Sequence, residues 1–301
     1  MYELIIIGAG PAGITASIYA ARKRMNFITI AKDIGGQAAL SSDIENYTGY
    51  QYITGAELSK KFEEHAREFN IVLKFEEVLK IEKLNGDFRV ITNNGSYDSR
   101  SLIIASGAKP RTLNVPGEKE FKNRGVTYCA TCDAPLFSDK DVAVVGGGNS
   151  GLDATLQLMR IAKKVYLIEA APVLKGDAAM REKIEGSDRV TILTSTKVLE
   201  ILGEKFVAGM LVEREGKRKV LDVQGIFIEI GYTPNLDFAN GLLKVNDRKE
   251  IIIDEHCRTN VEGIFAAGDV TNVPQKQIIV AAGEGAKAAL SAHEYVQKLK
   301  K

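Results

Sequence analysis

Residues 2–30 read YELIIIGAGPAGITASIYAARKRMNFITI and decide the fold class. A short apolar run from Tyr2 to Ile7 ends in Gly8-Ala-Gly10-Pro-Ala-Gly13, a helical stretch follows from Ile14 to Arg24, and Asn26 to Ile30 form a second apolar run. A strand, a glycine turn, a helix and a strand within about 30 residues are the context in which G-x-G-x-x-G binds a dinucleotide. The glycines allow the backbone to approach a pyrophosphate, and the helix N-terminus offers it free N–H groups. A purely structural glycine turn is the alternative.

The same pattern recurs from Asp141 to Ile168, around a second loop with the sequence GGGNSG (146–151). Glu169 closes this second unit, and an acid about 20 residues after the loop commonly bonds the ribose 2′-hydroxyl and disfavours a 2′-phosphate. In the first unit the matching acid is displaced or absent, because the second strand ends Ala31-Lys32-Asp33. The nicotinamide-site candidates are Gly146, Gly148, Asn149, Ser150, Gly151 and Glu169.

A Cys-x-x-Cys pair, Cys129-Ala-Thr-Cys132, lies between the two glycine loops. At a helix start, such a pair has one thiol with a lowered pKa, which makes it available as a nucleophile near neutral pH. A closed zinc site needs four ligands, yet there is no second such pair and the three histidines show no ligand spacing. We therefore predict a redox-active pair and no metal site, with an inert pair as the alternative, and expect Cys257 to be buried.

Length and charge limit the remaining possibilities. A chain of 301 residues exceeds the size at which one core usually stops growing, which favours two domains. The net charge of +1 gives no argument for binding nucleic acid or a membrane surface. No leader-like segment opens the sequence, and no apolar run is long enough to span a membrane, so we expect a cytoplasmic protein.

Six ordered motifs identify a family. They are GAGPAG (8–13), GGQ (35–37), IEN (44–46), CATCD (129–133), GGGNSG (146–151) and GIFAAGDV (263–270), the last followed by KQIIVAAGEGAKAA. Over its whole length the chain resembles the low-molecular-weight thioredoxin reductase family, and within it the reductase portion of the alkyl hydroperoxide reductase flavoprotein. That flavoprotein also carries an N-terminal thioredoxin-like extension, which we do not expect here because the first loop begins at Gly8.

The resemblance implies an α/β fold with two Rossmann-like, doubly wound dinucleotide-binding domains, the second inserted in the first. The FAD domain would comprise residues 1–113 and 242–301, and the nicotinamide domain, with the Cys-x-x-Cys pair, residues 114–241. The family also implies a homodimer. We expect hinges at Pro110–Gly117 and Asn235–Gly241, about which the inserted domain rotates.

The resemblance also implies roles for individual residues. Cys132 would face the flavin, Cys129 would attack the partner's disulfide, and Asp133 would donate a proton to the departing thiolate, with helix capping as its alternative role. Asp269 would bond the ribityl chain, a turn residue being the alternative. The predicted FAD-site residues are Gly8, Gly10, Ala12, Gly13, Gly36, Gln37, Asn46, Gly268, Asp269, Gln277 and Ile278.

The nicotinamide site departs from the family pattern. Members that use NADPH carry His-Arg-Arg after the second strand of this domain, whereas the present chain has Glu169-Ala170-Ala171 and no arginine before Arg181. A carboxylate repels a 2′-phosphate and two alanines give it no donor, so the sequence favours NADH over NADPH. Ferredoxin, the donor of some relatives that have lost nicotinamide use, is the other alternative; the intact glycines argue against it, although packing alone can retain them.

We therefore predict a flavoprotein disulfide reductase that passes electrons from NADH, through FAD and the Cys129–Cys132 pair, to a thioredoxin-like protein. One alternative is the reductase of a peroxiredoxin system, and another is a ferredoxin-dependent flavin thioredoxin reductase. A flavoprotein oxidase, a ferredoxin–nicotinamide reductase and a redox-sensing flavin-binding module are the remaining alternatives.

Overall fold

The computed structural model describes residues 1–41, 44–239 and 241–300. The chain forms two compact units, the first made of residues 1–109 and 233–301 and the second of residues 110–232. The sequence-based boundaries, at 113/114 and 241/242, lie further along the chain. The predicted hinge at Asn235–Gly241 falls partly outside the described residues. Within the described ranges, no helix combines the length and the apolar composition that a membrane span requires.

The described residues of the first half of the chain form fourteen helices and strands, apart from short 3-10 segments. In chain order they are β1 (Leu4–Ile7), α1 (Pro11–Arg22), β2 (Phe27–Ala31), α2 (Gly55–Glu68), β3 (Leu73–Phe75), β4 (Val78–Lys83), β5 (Phe88–Thr92), β6 (Gly95–Ser99), β7 (Leu102–Ile104), β8 (Ala108–Pro110), β9 (Val126–Thr127), α3 (Ala130–Asp133), β10 (Asp141–Val145) and α4 (Asn149–Leu158).

The second half adds eight strands and two helices. They are β11 (Lys164–Ile168), α5 (Ala178–Glu185), β12 (Val190–Leu193), β13 (Thr196–Gly203), β14 (Val207–Arg214), β15 (Lys217–Asp222), β16 (Gly225–Ile228), β17 (Tyr232–Pro234), β18 (Ile264–Ala266) and α6 (Ile278–Leu299).

The first unit is built on a five-stranded parallel sheet in the order β18-β7-β1-β2-β3. Strand β1 is apolar throughout and entirely buried at the centre of this sheet, as a parallel sheet covered on both faces requires. Helix α1 packs along α6 through small residues, and a Cβ on Gly285 would lie 2.0 Å from the carbonyl oxygen of Ala12. The alanines and glycines of both helices thus allow α1 and α6 to pack closely against each other. Strands β4, β5 and β6 form an additional antiparallel sheet.

The second unit repeats this plan. Its five-stranded parallel sheet has the order β12-β11-β10-β16-β9, and β13, β14 and β15 form an antiparallel sheet. The central strand β10 places Val142, Ala143 and Val144 in the core with no exposed surface. The predicted fold class, two doubly wound dinucleotide-binding domains with the second inserted in the first, is confirmed by the sheet orders and the interrupted first unit.

The sequence pattern predicts one strand from Leu73 to Ile81 and the start of an antiparallel meander from Thr191 to Leu202, and the structure differs in both regions. The run 73–81 is two strands, because β3 joins the parallel sheet and β4 the antiparallel one, with Glu76 and Glu77 between them. The run 191–202, read as the start of an antiparallel meander, also divides: β12 pairs in parallel with β11, and only β13 belongs to the meander. Ser195 adopts a left-handed φ of 51° at the break. Alternating hydrophobicity marks a strand but does not name its partner, which explains both errors.

Candidate redox and dinucleotide sites

The loop Gly8–Gly13 forms a tight turn between β1 and α1. Gly8 has a left-handed φ of 111°, and a Cβ on Gly13 would lie 1.9 Å from the carbonyl oxygen of Gly8, so both positions require glycine. Gly10 is the N-cap of α1 and no side chain caps the helix there. A Cβ on Gly10 would meet no atom closer than 3.9 Å, which leaves room for a ligand in front of the helix N-terminus. Free N–H groups beside open space are suited to bind a pyrophosphate.

A second glycine segment faces this loop. Gly36 has a φ of 53°, and a Cβ there would lie 3.4 Å from the Cα of Gly10, so the two backbones approach each other at glycines. Gln37 follows in the same 3-10 turn, Gly36–Leu40. Ala12, in contrast, is buried with 4% exposure. Its Cβ would lie 3.1 Å from a Cβ placed on Gly268. Ala12 therefore supports the loop by packing.

Residues distant in sequence meet at the same end of the first unit. The side-chain amide of Asn46 donates to Oε1 of Gln277 over 3.2 Å, and Gln277 is the N-cap of α6, which begins at Ile278. The predicted FAD-site residues 46 and 277 are thus brought together across more than two hundred positions of sequence.

Asp269 directly follows Gly268 after strand β18, at the carboxyl edge of the parallel sheet. Burial raises the pKa of the Asp269 carboxyl above its ordinary value, while the nearby Lys276 lowers it and Glu284 raises it further. A buried carboxyl at this edge, next to an open glycine turn, fits a ligand with hydroxyl groups. The free N–H groups of α1 and the Asp269 carboxyl therefore suit the donor and acceptor groups of a flavin dinucleotide.

The second glycine loop has the same geometry as the first. Gly146 has a φ of 127°, and a Cβ on Gly151 would lie 1.7 Å from the carbonyl oxygen of Gly146. Gly148 is the uncapped N-cap of α4 and has open space where a Cβ would be. Asn149 and Ser150 open the helix and are exposed, and Oδ1 of Asn149 accepts the backbone N–H of Asp177 over 2.8 Å. The loop thus keeps the geometry of a dinucleotide site.

Glu169 is fixed beside this loop by two backbone donors. Its carboxylate accepts the N–H of Gly147 over 2.6 Å and the N–H of Ala171 over 2.7 Å. Such bonds to an ionised acceptor are stronger than neutral ones, so the negative charge stands at a defined place at the end of β11. This is the edge of the sheet at which α/β folds bind ligands.

The dithiol lies in the same unit as this loop. Cys129 and Cys132 form a disulfide at the start of α3, where Cys129 is the N-cap and its Sγ accepts the N–H of Cys132 over 3.2 Å. The predicted helix start is therefore present. Asp133 ends this short helix, and its carboxylate accepts the hydroxyl of Thr127. Asp133 is also the N-cap of the 3-10 turn Ala134–Phe137, where its side chain makes no cap hydrogen bond.

The strand that leads to Cys129 is held on both sides. The hydroxyl of Tyr128 donates to Oε1 of Glu118 over 2.9 Å, and the carbonyl oxygen of Tyr128 accepts the hydroxyl of Tyr232 over 2.9 Å. Burial, with the bond to Glu118, raises the pKa of Tyr128. Glu118 is 1% exposed and also accepts the N–H groups of Leu113 and Asn114. This clamp fixes the backbone immediately before the dithiol.

Glu229 is a site residue that the sequence analysis did not identify. It follows β16, and its Oε1 accepts the N–H of Ala130 over 3.2 Å, inside the Cys-x-x-Cys segment. Burial raises the pKa of Glu229 to about 7, partly opposed by the Ala130 N–H. The available signal was an acid directly after the buried run GIFI, at the carboxyl end of a parallel strand.

The chain is similar to known oxidoreductases. Residues 2–285 match the family model described as pyridine nucleotide-disulphide oxidoreductase. A curated relative named NADH dehydrogenase, from Bacillus subtilis, is 40% identical over 98% of this chain and 58% of its own length. The F component of alkyl hydroperoxide reductase from Staphylococcus epidermidis is 41% identical over 98% of this chain and 59% of its own. The chain thus spans less than three fifths of these two relatives.

A solved structure matches along nearly its full length. The thioredoxin reductase from Streptococcus pyogenes superimposes with a TM-score of 0.92 at 38% identity, and the match covers 99% of each chain. The expected resemblance to low-molecular-weight thioredoxin reductases is therefore confirmed. The chain belongs to the pyridine nucleotide-disulphide oxidoreductase family, which implies FAD and a pyridine nucleotide.

Proposed function

We propose that this protein is a flavin-dependent disulfide reductase of the thioredoxin reductase type, with NADH as its electron donor and a thioredoxin-like protein as its substrate. The observation that carries the proposal is the Cys129–Cys132 disulfide at a helix start, in the unit that also holds the second glycine loop. A buried structural disulfide would not need this placement, whereas a reactive pair gains from the helix N-terminus.

The first unit would hold FAD, which supplies two-electron transfer when bound. Gly8 and Gly13 would form the tight turn, Gly10 would leave space for its pyrophosphate, and the N-terminus of α1 would donate to it. Gly36 and Gln37 would line the opposite wall. Asp269 would bond the ribityl hydroxyls from the carboxyl edge of the sheet. Asn46 would lie along the cofactor, and Gln277 and Ile278 would lie near the ring.

The dithiol would transfer electrons to the partner by thiol–disulfide exchange. The thiolate of Cys129 attacks the partner's disulfide, which forms a mixed disulfide and releases the partner's second sulfur. Cys132 then attacks the sulfur of Cys129, which re-forms their disulfide and releases the partner's reduced dithiol. Asp133 would give the departing thiolate its proton. The Thr127 hydroxyl, bonded to Asp133, fixes that carboxyl on the strand just before the helix.

Glu169 supports the choice of NADH. Its carboxylate, held by the N–H groups of Gly147 and Ala171, would accept a bond from the ribose 2′-hydroxyl. The same fixed charge would repel a 2′-phosphate, and Ala170 and Ala171 offer it no side-chain donor. Gly146, Gly148, Asn149, Ser150 and Gly151 would bind the pyrophosphate.

A second candidate function is the reductase of a peroxiredoxin system. The similarity to the F component of alkyl hydroperoxide reductase over nearly the whole of this chain favours it. The chemistry at Cys129 would be unchanged and only the protein partner would differ. NADH-dependent peroxide consumption, measured with a peroxiredoxin and a separate thioredoxin-like carrier, would distinguish this partner from thioredoxin alone. The homodimer and the cytoplasmic location stay predictions; light scattering of the purified protein tests the first.

The first experiment is anaerobic reduction of the purified protein, followed by the visible absorbance of the flavin. NADH, NADPH and reduced ferredoxin are each offered separately. Rapid bleaching by NADH alone supports the proposal. Bleaching by ferredoxin alone would make the second glycine loop a structural remnant and the nicotinamide assignments wrong.

A second arm tests the substrate. NADH oxidation is followed with oxidised thioredoxin present, for the wild type and for Cys129→Ser. Loss of thioredoxin reduction in the variant, with flavin bleaching retained, supports the assigned role of Cys129. Full activity of the variant would favour an oxidase or a ferredoxin–nicotinamide reductase instead.

A further inference from the structure

Glu229 lies at the point where the dithiol helix and the second glycine loop meet within the second unit. Strands β16 and β9 pair in parallel, with Phe227 opposite Thr127, and two residues further on each strand come Glu229 and Cys129. The N–H of Ala130, the first residue of α3, donates to Oε1 of Glu229 over 3.2 Å. A Cβ on Gly146 would lie 2.4 Å from the carbonyl oxygen of Glu229, so the backbone of Glu229 also adjoins the glycine loop.

This carboxyl is partly buried and has an acidic neighbour. Burial raises its pKa to about 7, the Ala130 N–H acts in the opposite direction, and the charge of Asp153 on α4 raises it further. Two further acids lie in the same unit, Asp133 at the end of α3 and Glu169 after β11. Each accepts bonds of its own, from Thr127 and from Gly147 and Ala171 respectively.

We propose that Glu229 is a positioning residue that controls how readily the Cys129–Cys132 dithiol loses a proton, by occupying the first N–H of α3 and by placing a carboxylate beside the cysteines. The inference rests on the proposed function, because only a redox-active dithiol makes this control matter.

The physical reason is competition for the helix N-terminus. Free N–H groups at the start of a helix stabilise a neighbouring thiolate, which is one cause of low thiol pKa values in Cys-x-x-Cys motifs. Glu229 accepts one of these N–H groups, and as an anion it also repels a thiolate. The dithiol is therefore less acidic when Glu229 is ionised than when it is protonated. Two coupled groups of this kind titrate as a pair, so thiolate forms over a broad range of pH.

The expected size follows from charge removal. Where Glu229 is ionised, we expect removal of its charge to lower the pKa of a nearby thiol by about one unit, which raises the thiolate fraction below that pKa by up to about tenfold. Glu229→Gln keeps the size of the side chain and an oxygen that accepts the Ala130 N–H, and removes only the charge. Glu229→Asp keeps the charge, and Glu204→Gln removes an exposed carboxylate from the same unit as a control.

The test is the rate at which iodoacetamide alkylates Cys129 and Cys132 in the reduced, flavin-containing protein between pH 5 and 9, resolved by mass spectrometry of the peptides. We expect Glu229→Gln to match the wild type near pH 6, where Glu229 is mostly protonated, and to react faster above pH 7, by up to about tenfold, with a steeper single transition. Glu229→Asp should stay near the wild-type profile, and Glu204→Gln should match it. If the Gln variant does not fold, Glu229→Ala tests the same charge.

An unchanged or slower profile in a folded neutral variant would overturn the inference. The measurement needs no electron donor and no partner, so it is independent of turnover. A shifted profile together with a wild-type protein that reduces no protein disulfide would reject the proposed function and keep the inference. An unshifted profile in an active reductase would reject the inference and keep the proposed function.

Discussion

Glu169 offers a sharp test of the donor proposal, because its carboxylate is held by two backbone N–H groups at known distances. The change is Glu169→Gln, which keeps the volume of the side chain and removes its charge. An amide has one acceptor oxygen and cannot accept both the Gly147 and the Ala171 N–H as the carboxylate does, at 2.6 and 2.7 Å. The NH₂ group of the glutamine must then face one of these two backbone N–H groups, with which it cannot form a hydrogen bond.

The magnitude follows from the kind of bond that is lost. A hydrogen bond to a charged group contributes about 1.5–3 kcal/mol, and every 1.4 kcal/mol corresponds to about tenfold in a rate or equilibrium constant. If Glu169 bonds the ribose 2′-hydroxyl of NADH, the second-order rate constant for flavin reduction by NADH falls by about 10- to 100-fold in the variant. The rate constant with NADPH rises, because the repulsion of its 2′-phosphate is removed.

The assay is anaerobic stopped-flow reduction of the flavin over a concentration series of NADH and of NADPH. Glu204→Gln removes an exposed carboxylate of the same unit and should leave both rate constants unchanged. Thermal unfolding of both variants checks that the loop is intact. If Glu169→Gln is folded and keeps the NADH-to-NADPH ratio of the wild type, the reasoning about Glu169 is wrong.

Three further predictions concern folding and reactivity. Gly13→Ala should lower the melting temperature and the flavin content sharply, because its Cβ would lie 1.9 Å from the carbonyl oxygen of Gly8. Gly10→Ala, with 3.9 Å of clearance, should melt like the wild type and hold flavin more weakly; equal melting of both variants would contradict the assignment. Glu229, with a pKa raised from 4.5 to about 7, is protonated in the folded state and ionised in the unfolded state between those values, so the wild type should lose about 3 kcal/mol of unfolding free energy as the pH rises through this window. Glu229→Gln should show no such loss, which urea unfolding of both proteins at pH 4.5 and pH 8 measures. Burial raises the pKa of Cys257 to about 12, so iodoacetamide should modify this thiol only after denaturation; rapid labelling of the native protein would show that Cys257 is accessible.

The local repeats of the fold were predictable from the sequence. Each apolar run that leads into a glycine loop became the centre of a parallel sheet, because a strand covered on both faces must be apolar along its whole length. The steric requirement for glycine in the two loops was predictable for a similar reason. Gly13 and Gly151 each lie within 2 Å of a backbone oxygen at the place where a side chain would begin, so no other residue fits. Such constraints act within a few residues and leave a local pattern.

Element boundaries were less well predicted. The helix expected from Ile14 begins at Pro11, inside the glycine motif, because proline is favoured in the first turn of a helix, where its missing N–H is not needed. The runs 73–81 and 191–202 each divided between two sheets. Whether a strand joins a parallel or an antiparallel sheet depends on partners far along the chain, which the alternation of its own residues does not record.

The sequence by itself determined the two dinucleotide loops, the Cys129–Cys132 pair between them and the acid at Glu169, since each of these depends on residue type at short spacing. Only the tertiary structure placed Asn46 against Gln277 and the Thr127 hydroxyl on Asp133. It also brought Glu229 to the N–H of Ala130, a contact between residues 99 positions apart. The physical reason is that a carboxyl acquires an unusual pKa from burial and from the dipoles around it, and both are set by the packing of separate strands and not by neighbours in sequence.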